Sequence, residues 1–277
     1  MDERFPSALA GKRVVITRAA AQSEALAREL SGRGAIPVVV PLVSFAEPED
    51  FAPLDAAIMG INEFDWMIFT SAQAVRAVTK RWDDQEFSGV RPRPWSKLRV
   101  ACVGPVSAEA VRQTGLPVAY VAETHNGAAL AEELRGELDG ARVFLPRSDR
   151  ANPDLPVALK RHGAQVTEVI AYRTLRPTAL DEEKLTQIAQ GAADAVLFFS
   201  PSAVHHFAEL RGAEQLRQLQ DKLAITAVGA VTAKALREEG VVRAVIAADT
   251  TAASVIEALE KHFADGQKAA PSGVRRG

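Results

Sequence analysis

The chain has 277 residues, 47% of them hydrophobic and 25% charged, with a formal net charge of −2. That length suits two modest hydrophobic cores better than one, and the near-neutral balance excludes a generic nucleic-acid or anionic-membrane binder, so an anionic ligand has to be held locally. A single cysteine, Cys102, excludes an intrachain disulfide framework and any cysteine-based zinc cluster, and it fits a reducing, cytoplasmic setting.

The opening stretch "MDERFPSALAGKR" lacks the apolar core of a signal peptide, and no segment approaches the roughly 18 apolar residues of a membrane span, so a soluble protein is expected. "RVVITR" then reads as a short strand, followed by a helical pattern, "AQSEALARELSGRG", that ends on a glycine suited to a helix C-cap. A second strand, "IPVVV", comes next, and "WMIFTS" reads as a strand ending in Ser71 with a helix just beyond. "VACVG" runs into the helix "PVSAEAVRQTG". The same grammar recurs in "RVFLPR", "PDLPVALKRHG", "QVTEV", "AVLFFS" and "AITAVG", which runs into "AVTAKALREEG". Strands alternating with helices imply mostly parallel sheets covered on both faces, and hence two doubly wound α/β domains. The closing "DGQKAAPSGVRRG" is polar and rich in Gly and Pro, so residues 265–277 are expected to be a disordered tail.

The grammar recurs because the sequence does. Aligning the segment from Gly11 with that from Gly140 matches Gly11/Gly140, Arg13/Arg142, Val14/Val143, Arg18/Arg147, Leu26/Leu155, Leu30/Leu159, Gly34/Gly163, Ala35/Ala164 and Val40/Val169 without a gap. The same offset lays "FTSAQAV" from Phe69 on "FFSPSAV" from Phe198. Farther on, "VGPVSAEAVRQTG" from Val103 aligns with "VGAVTAKALREEG" from Val228, the change of offset being absorbed by a longer "RWDDQEFSGVRPRPWSKL" in the first copy. Two copies fill the chain, each far longer than a solenoid repeat. Their most pointed difference is in the second strand, where Tyr172 in "VTEVIAYRT" stands opposite Val43 in "PVVVPLVSF".

In doubly wound folds ligands bind beyond the carboxyl ends of the strands, where helix N-termini offer free N–H groups. The residues there are Arg18 and Arg147, Ser71 and Ser200, Gly104 and Ser107, Gly229 and Thr232, and the Thr124 to Asn126 turn with Thr250 and Thr251. For each hydroxyl the competing reading is a plain helix cap, and for each arginine a solvated charge or a structural ion pair. No dinucleotide fingerprint, phosphate-binding loop, serine elbow or zinc-binding helix motif occurs. His205 and His206 are adjacent on one helix and point apart, His125 has a threonine as its repeat partner, and Trp66, Trp82 and Trp95 read as packing residues.

Taken in order and spacing, "GKRVVITR", "WMIFTSAQAV", "VACVGPVSAEAVRQTG", "VFLPRSDRANPDLPVALKRHGAQVTEVIAYRT", "AVLFFSPSAVHHF" and "ITAVGAVTAKALREEG" resemble the uroporphyrinogen-III synthases of tetrapyrrole biosynthesis, from about Gly11 to Phe263. The resemblance implies two similar doubly wound parallel-sheet domains facing a cleft and joined by a two-stranded β-ladder at Pro37 to Phe45 and Val166 to Thr174. Residues 1–40 with 174–264 would form one domain and 41–173 the other, inserted domain, so a cut near Gly140 would leave poorly folded pieces. It also implies a lyase without cofactor or metal that cyclises hydroxymethylbilane, expels its hydroxyl and inverts the last pyrrole ring. Such an enzyme would be a monomer that receives substrate from the preceding deaminase. Tyr172 would assist loss of the hydroxyl, while Ser71, Ser107, Ser200 and Thr232 would bind carboxylates or pyrrole N–H groups, together with Arg18, Gly104, Thr124, Arg147 and Gly229. The competing reading is a non-catalytic two-domain tetrapyrrole-binding or regulatory module; the presence of Tyr172 favours the enzyme.

Overall fold

The computed structural model describes residues 7–84, 97–124, 126–249 and 251–269. His125, Thr250 and Trp95, and residues 270–277 of the expected tail, lie outside the described residues. The chain opens with β1 (Arg13–Ile16), α1 (Ala20–Gly32) and β2 (Ile36–Val39). It continues through β3 (Ser44–Ala46), α2 (Ala52–Met59), β4 (Trp66–Phe69), α3 (Ala72–Asp83), β5 (Arg99–Cys102), α4 (Pro105–Gln113), β6 (Tyr120–Val121) and α5 (Gly127–Glu133). Then come β7 (Arg142–Ser148), α6 (Asp154–Arg161), β8 (Gln165–Leu175), α7 (Glu182–Ala189), β9 (Ala195–Phe198), α8 (Pro201–Arg211), α9 (Ala213–Leu219), β10 (Ala224–Val228), α10 (Ala230–Glu238), β11 (Val245–Ala247) and α11 (Ala252–Ala269). The last helix thus runs to Ala269, into the stretch expected to be tail; a polar, Gly-containing composition does not stop a helix already anchored by Val255, Ile256 and Leu259, all buried.

Two compact units result: Met1–Ser44 with Arg176–Gly277, and Phe45–Leu175. The first holds a five-stranded sheet in the order β11-β10-β9-β1-β2, with every neighbouring pair parallel. Winding runs outward in both directions from the β1/β9 pair, which is therefore the switch point of the sheet. Val14, Ile16, Ala195 and Leu197 pack with α1 and α11 residues on one face, while Val15 and Val196 are buried on the other. That double burial is why these strands are continuous apolar runs rather than alternating ones.

The second unit holds a six-stranded sheet in the order β3-β8-β7-β4-β5-β6, with its switch point between β7 and β4. Its strands divide their side chains between two cores. Met67, Phe69, Val100, Cys102 and Phe144 join one cluster, and Trp66, Ile68, Ala101, Val143 and Leu145 join the other. Burial pushes the Cys102 thiol up to about 12, so it behaves as a small apolar group.

The segment expected as the first arm of a ladder is divided. Ile36–Val39 pairs with β1, and only Ser44–Ala46 lies beside β8. In between, Val40 and Leu42 donate their N–H groups to the Ile16 and Thr17 carbonyls, both at 3.0 Å, and Pro41 has no N–H to give to a ladder.

Candidate functional site

Each unit gathers its own set of candidate residues at the carboxyl end of its sheet. In the first unit, Ser200 N-caps α8, its Oγ accepting the Ala203 N–H at 3.3 Å. Arg18 follows β1, its guanidinium 4.5 Å above the ring of Phe199, and Thr17 beside it donates its hydroxyl to the Leu197 carbonyl at 2.7 Å across the switch point. Gly229 caps α10 with φ 85° and ψ 158°, a conformation open essentially to glycine alone. Thr232, three residues on, is buried within the helix. His205 faces Glu239 at 3.1 Å and His206 faces the Leu42 carbonyl at 2.7 Å, so the two rings serve different neighbours.

In the second unit, Ser71 occupies the equivalent cap of α3, its Oγ accepting the Ala74 N–H at 3.1 Å. The same oxygen lies 3.1 Å from the Tyr172 hydroxyl. Tyr172 reaches it from β8, 8% exposed, with its ring edge-on to Phe45 at 5.5 Å between centroids. Burial pushes the phenol ionisation above its ordinary range and the charge of Asp149 adds to this, whereas the Ser71 and Ser148 hydroxyls and Arg147 pull it back. A neutral hydroxyl is therefore in place throughout the physiological range.

Arg147 sits at the end of β7 but is only 3% exposed. Its guanidinium pairs with Glu168 at 2.7 Å and donates to the Asn152 carbonyl. Burial lowers its ionisation and Glu168 opposes that. Gly104 N-caps α4 in extended backbone, Ser107 is buried on that helix, and Thr124 is exposed, with Asn126 rather than Thr124 capping α5 through its Oδ1 and the Ala129 N–H at 2.8 Å. Phe45, Ser148, Asp149 and Thr174 also converge around Tyr172, and none of them was singled out in the sequence. The "RSD" in which β7 ends and its turn begins was their only local sign, since a polar run where a strand turns is what side-chain-bonded turns are made of.

Two mostly parallel sheets with helices starting at their carboxyl ends define a doubly wound α/β protein, and in the second unit a partly exposed serine meets a buried tyrosine at such a helix start. The family description "Uroporphyrinogen-III synthase HemD" matches residues 24–257. The chain belongs to the uroporphyrinogen-III synthase family, cyclising lyases of tetrapyrrole biosynthesis. It is 32% identical over 205 residues to the uroporphyrinogen-III synthase of Synechococcus elongatus, covering 73% of this chain and 75% of that one. A putative uroporphyrinogen-III synthase of Methanothermobacter thermautotrophicus is 30% identical over 237 residues, covering 82% and 90%. The fold is that of the uroporphyrinogen III synthase of Thermus thermophilus (TM-score 0.58, 23% identity, covering 93% of this chain and 98% of that one). The Helicobacter pylori enzyme shares it as well (TM-score 0.55, 16% identity, covering 92% and 99%).

Proposed function

We propose that this chain closes hydroxymethylbilane into uroporphyrinogen III with loss of water and inversion of the terminal pyrrole ring, and that Tyr172 supplies the proton on which the hydroxyl departs. The catalytic part rests on the 3.1 Å approach of Ser71 Oγ to the Tyr172 hydroxyl. A hydroxyl donates one hydrogen bond and accepts two. Ser71 already accepts the Ala74 N–H, so it can give its own proton to the phenol oxygen and leave the Tyr172 O–H for an outside acceptor. Donors in such a chain polarise one another, which makes the phenol a better acid without ionising it.

In the reaction the C–O bond of the hydroxymethyl group breaks with its electron pair on oxygen, the phenol proton passes to that oxygen, and water leaves. A pyrrole nitrogen lone pair stabilises the resulting cation. Attack by the substituted carbon of the last ring gives a spiro centre, which fragments and recloses at the ring's other carbon. The proton lost from the reclosing carbon returns to the tyrosinate, so the enzyme ends as it began. Positioning is the main task, because the free bilane closes unaided to the uninverted isomer.

The substrate carboxylates fall to the helix N-termini at the strand ends, each contributing about 0.3–1 kcal/mol through the dipole, with about 1.5–3 kcal/mol for each charge-assisted hydrogen bond. Ser200, Gly104, Gly229 and Arg18 are the groups we assign to this binding, with Ser107, Thr232 and Thr124 flanking them. Arg147, itself buried and already engaged by Glu168 and the Asn152 carbonyl, we assign to support of the loop after β7. A cytoplasmic monomer taking substrate from the preceding deaminase completes the proposal. Among the described residues no helix is long and apolar enough to cross a membrane.

The test is to supply freshly generated hydroxymethylbilane, oxidise the product and separate the uroporphyrin isomers. Type III is expected, and type I alone refutes the assignment. Tyr172→Phe is expected to lower kcat about 10²-fold, at the lower end for a general acid, while melting like the parent. Wild-type turnover in the folded variant removes Tyr172 from the mechanism.

A further inference from the structure

We infer that Asp149 is the positioning residue for the Tyr172 hydroxyl, its carboxylate holding the end of β8 in the shifted register that turns Tyr172 toward Ser71. The inference rests on the reading of Tyr172 as proton donor.

Along β8 the side chains first alternate as a strand requires. Val169 and Ala171 are buried and Ile170 between them is half-exposed. Uninterrupted, that alternation would send Arg173 inward and leave Tyr172 on the outer face beside Ile170. The pairing with β7 slips instead: Arg147 lies opposite Ile170, but Ser148 lies opposite Tyr172, so Ala171 is the extra residue of a bulge. Beyond it the faces are exchanged. Tyr172 and Thr174 are buried, and Arg173 turns out to donate to the Glu47 carbonyl at 3.0 Å. Bulges are rare in parallel pairs, and one at this position disrupts the ladder and has to be held.

The turn after β7 holds it. The Asp149 N–H donates to the Tyr172 carbonyl at 3.2 Å. Asp149 Oδ1 accepts the Thr174 N–H at 2.8 Å and the Ser148 hydroxyl at 3.0 Å. Ser148 Oγ is also 2.8 Å from Thr174 Oγ1. Since β7 ends at Ser148, the carboxylate oxygen stands in for the strand carbonyl that a longer β7 would have offered to Thr174. Asp149 and Arg147, both from β7 and its turn, are the charged groups that bear on the phenol. The groups brought by α3 and β3, Ser71 and Phe45, are uncharged.

Two variants and one cycle test this. Asp149→Ala is expected to lower kcat about tenfold with KM within about twofold, and to add less than about twofold in a Tyr172→Phe background, because a residue acting through the phenol has nothing left to position. Asp149→Asn keeps an oxygen acceptor for Thr174 and Ser148 and is expected to restore most of the turnover at pH 7. Losses that multiply in the double variant, or a loss confined to KM, overturn the inference while the donor role of Tyr172 stands. A second measurement is independent of turnover. The chain has two tyrosines, so in a Tyr120→Phe background a ring-carbon NMR titration follows Tyr172 alone. Asp149→Asn should move its ionisation midpoint to lower pH. An unmoved midpoint overturns the inference, even if Tyr172→Phe turns out fully active and the donor reading fails with it. If Asp149→Ala does not fold, the Asp149→Asn midpoint and turnover decide.

Discussion

Ser71 and Ser200 do the same local work with different neighbours. Both accept the N–H three residues ahead, at 3.1 and 3.3 Å, and so close the first turns of α3 and α8. Only Ser71 has a phenol at hydrogen-bond distance. Alanine at either position should cost about 1 kcal/mol of stability through the lost cap, but Ser71→Ala should in addition lower kcat, because the phenol loses the donor that frees its own proton. Denaturant unfolding and turnover measured side by side check this; an undiminished kcat for Ser71→Ala would mean that Tyr172 does not need the serine. The pH dependence follows from the same pair. The phenol acts only while protonated, and burial raises its ionisation, so the limb of kcat that reports its loss should lie above pH 10. Tyr172 was legible as the odd residue of two matched strands, and its match Val43 is a buried aliphatic between β2 and β3. Asp149 was not legible, because its role depends on a register slip with a strand reached only after a helix.

At the level of elements, one device recurs where the central strands begin. Asp194 Oδ2 accepts the Arg13 N–H at 2.8 Å at the start of β1, and Asp65 Oδ2 accepts the Arg142 N–H at 2.8 Å at the start of β7. Lys12 pairs with the first at 2.8 Å and Lys97 with the second at 2.9 Å. Burial works to raise the Asp194 carboxyl, but Lys12 and the Arg13 N–H outweigh it and hold it below the usual range. The Lys97 hydrogen bond, then the Arg142 N–H, hold Asp65 down. A depressed carboxyl stabilises the fold above its unfolded pKa and loses that contribution as pH falls through the folded one. Asp194→Ala should therefore cost about 1 kcal/mol at pH 7, and the gap from the parent should close below about pH 3; a gap constant from pH 7 to 3 would show that the charge is irrelevant. Most strands and helices could be read in the sequence from apolar runs and from the glycines that end them, such as Gly34 and Gly163 at φ 80° and 88°. What could not be read was continuity: one copy runs as the single strand β8, whereas the other breaks at Val40–Val43, where backbone donors turn to Ile16 and Thr17.

At the level of the whole molecule, the sequence repeat and the sheets divide the chain differently. β7 and β8 begin the second copy yet complete the sheet built on β4, β5 and β6, while β1 and β2 from the first copy join β9, β10 and β11. Every strand hydrogen-bonded in the six-stranded sheet lies between Ser44 and Leu175, so that unit is one continuous piece of chain, whereas the five-stranded sheet needs both ends of the sequence. A domain of this size buries roughly two thirds of the surface its unfolded chain exposes, enough to fold alone. A fragment spanning 45–175 should then unfold cooperatively with dispersed amide resonances. The halves 1–139 and 140–277 should not, although each carries one complete copy of the repeat. Severing at Gly140 takes β7 away from β4, and with it the pairing of Trp66 with Val143 and Met67 with Phe144 across the switch point. It also strips Phe144 from the core of Met67, Phe69 and Val100, a loss comparable to the about 3–5 kcal/mol of truncating a buried phenylalanine. Cooperative folding of 1–139 by itself would show that each copy is a self-sufficient domain and that the exchanged strands are dispensable.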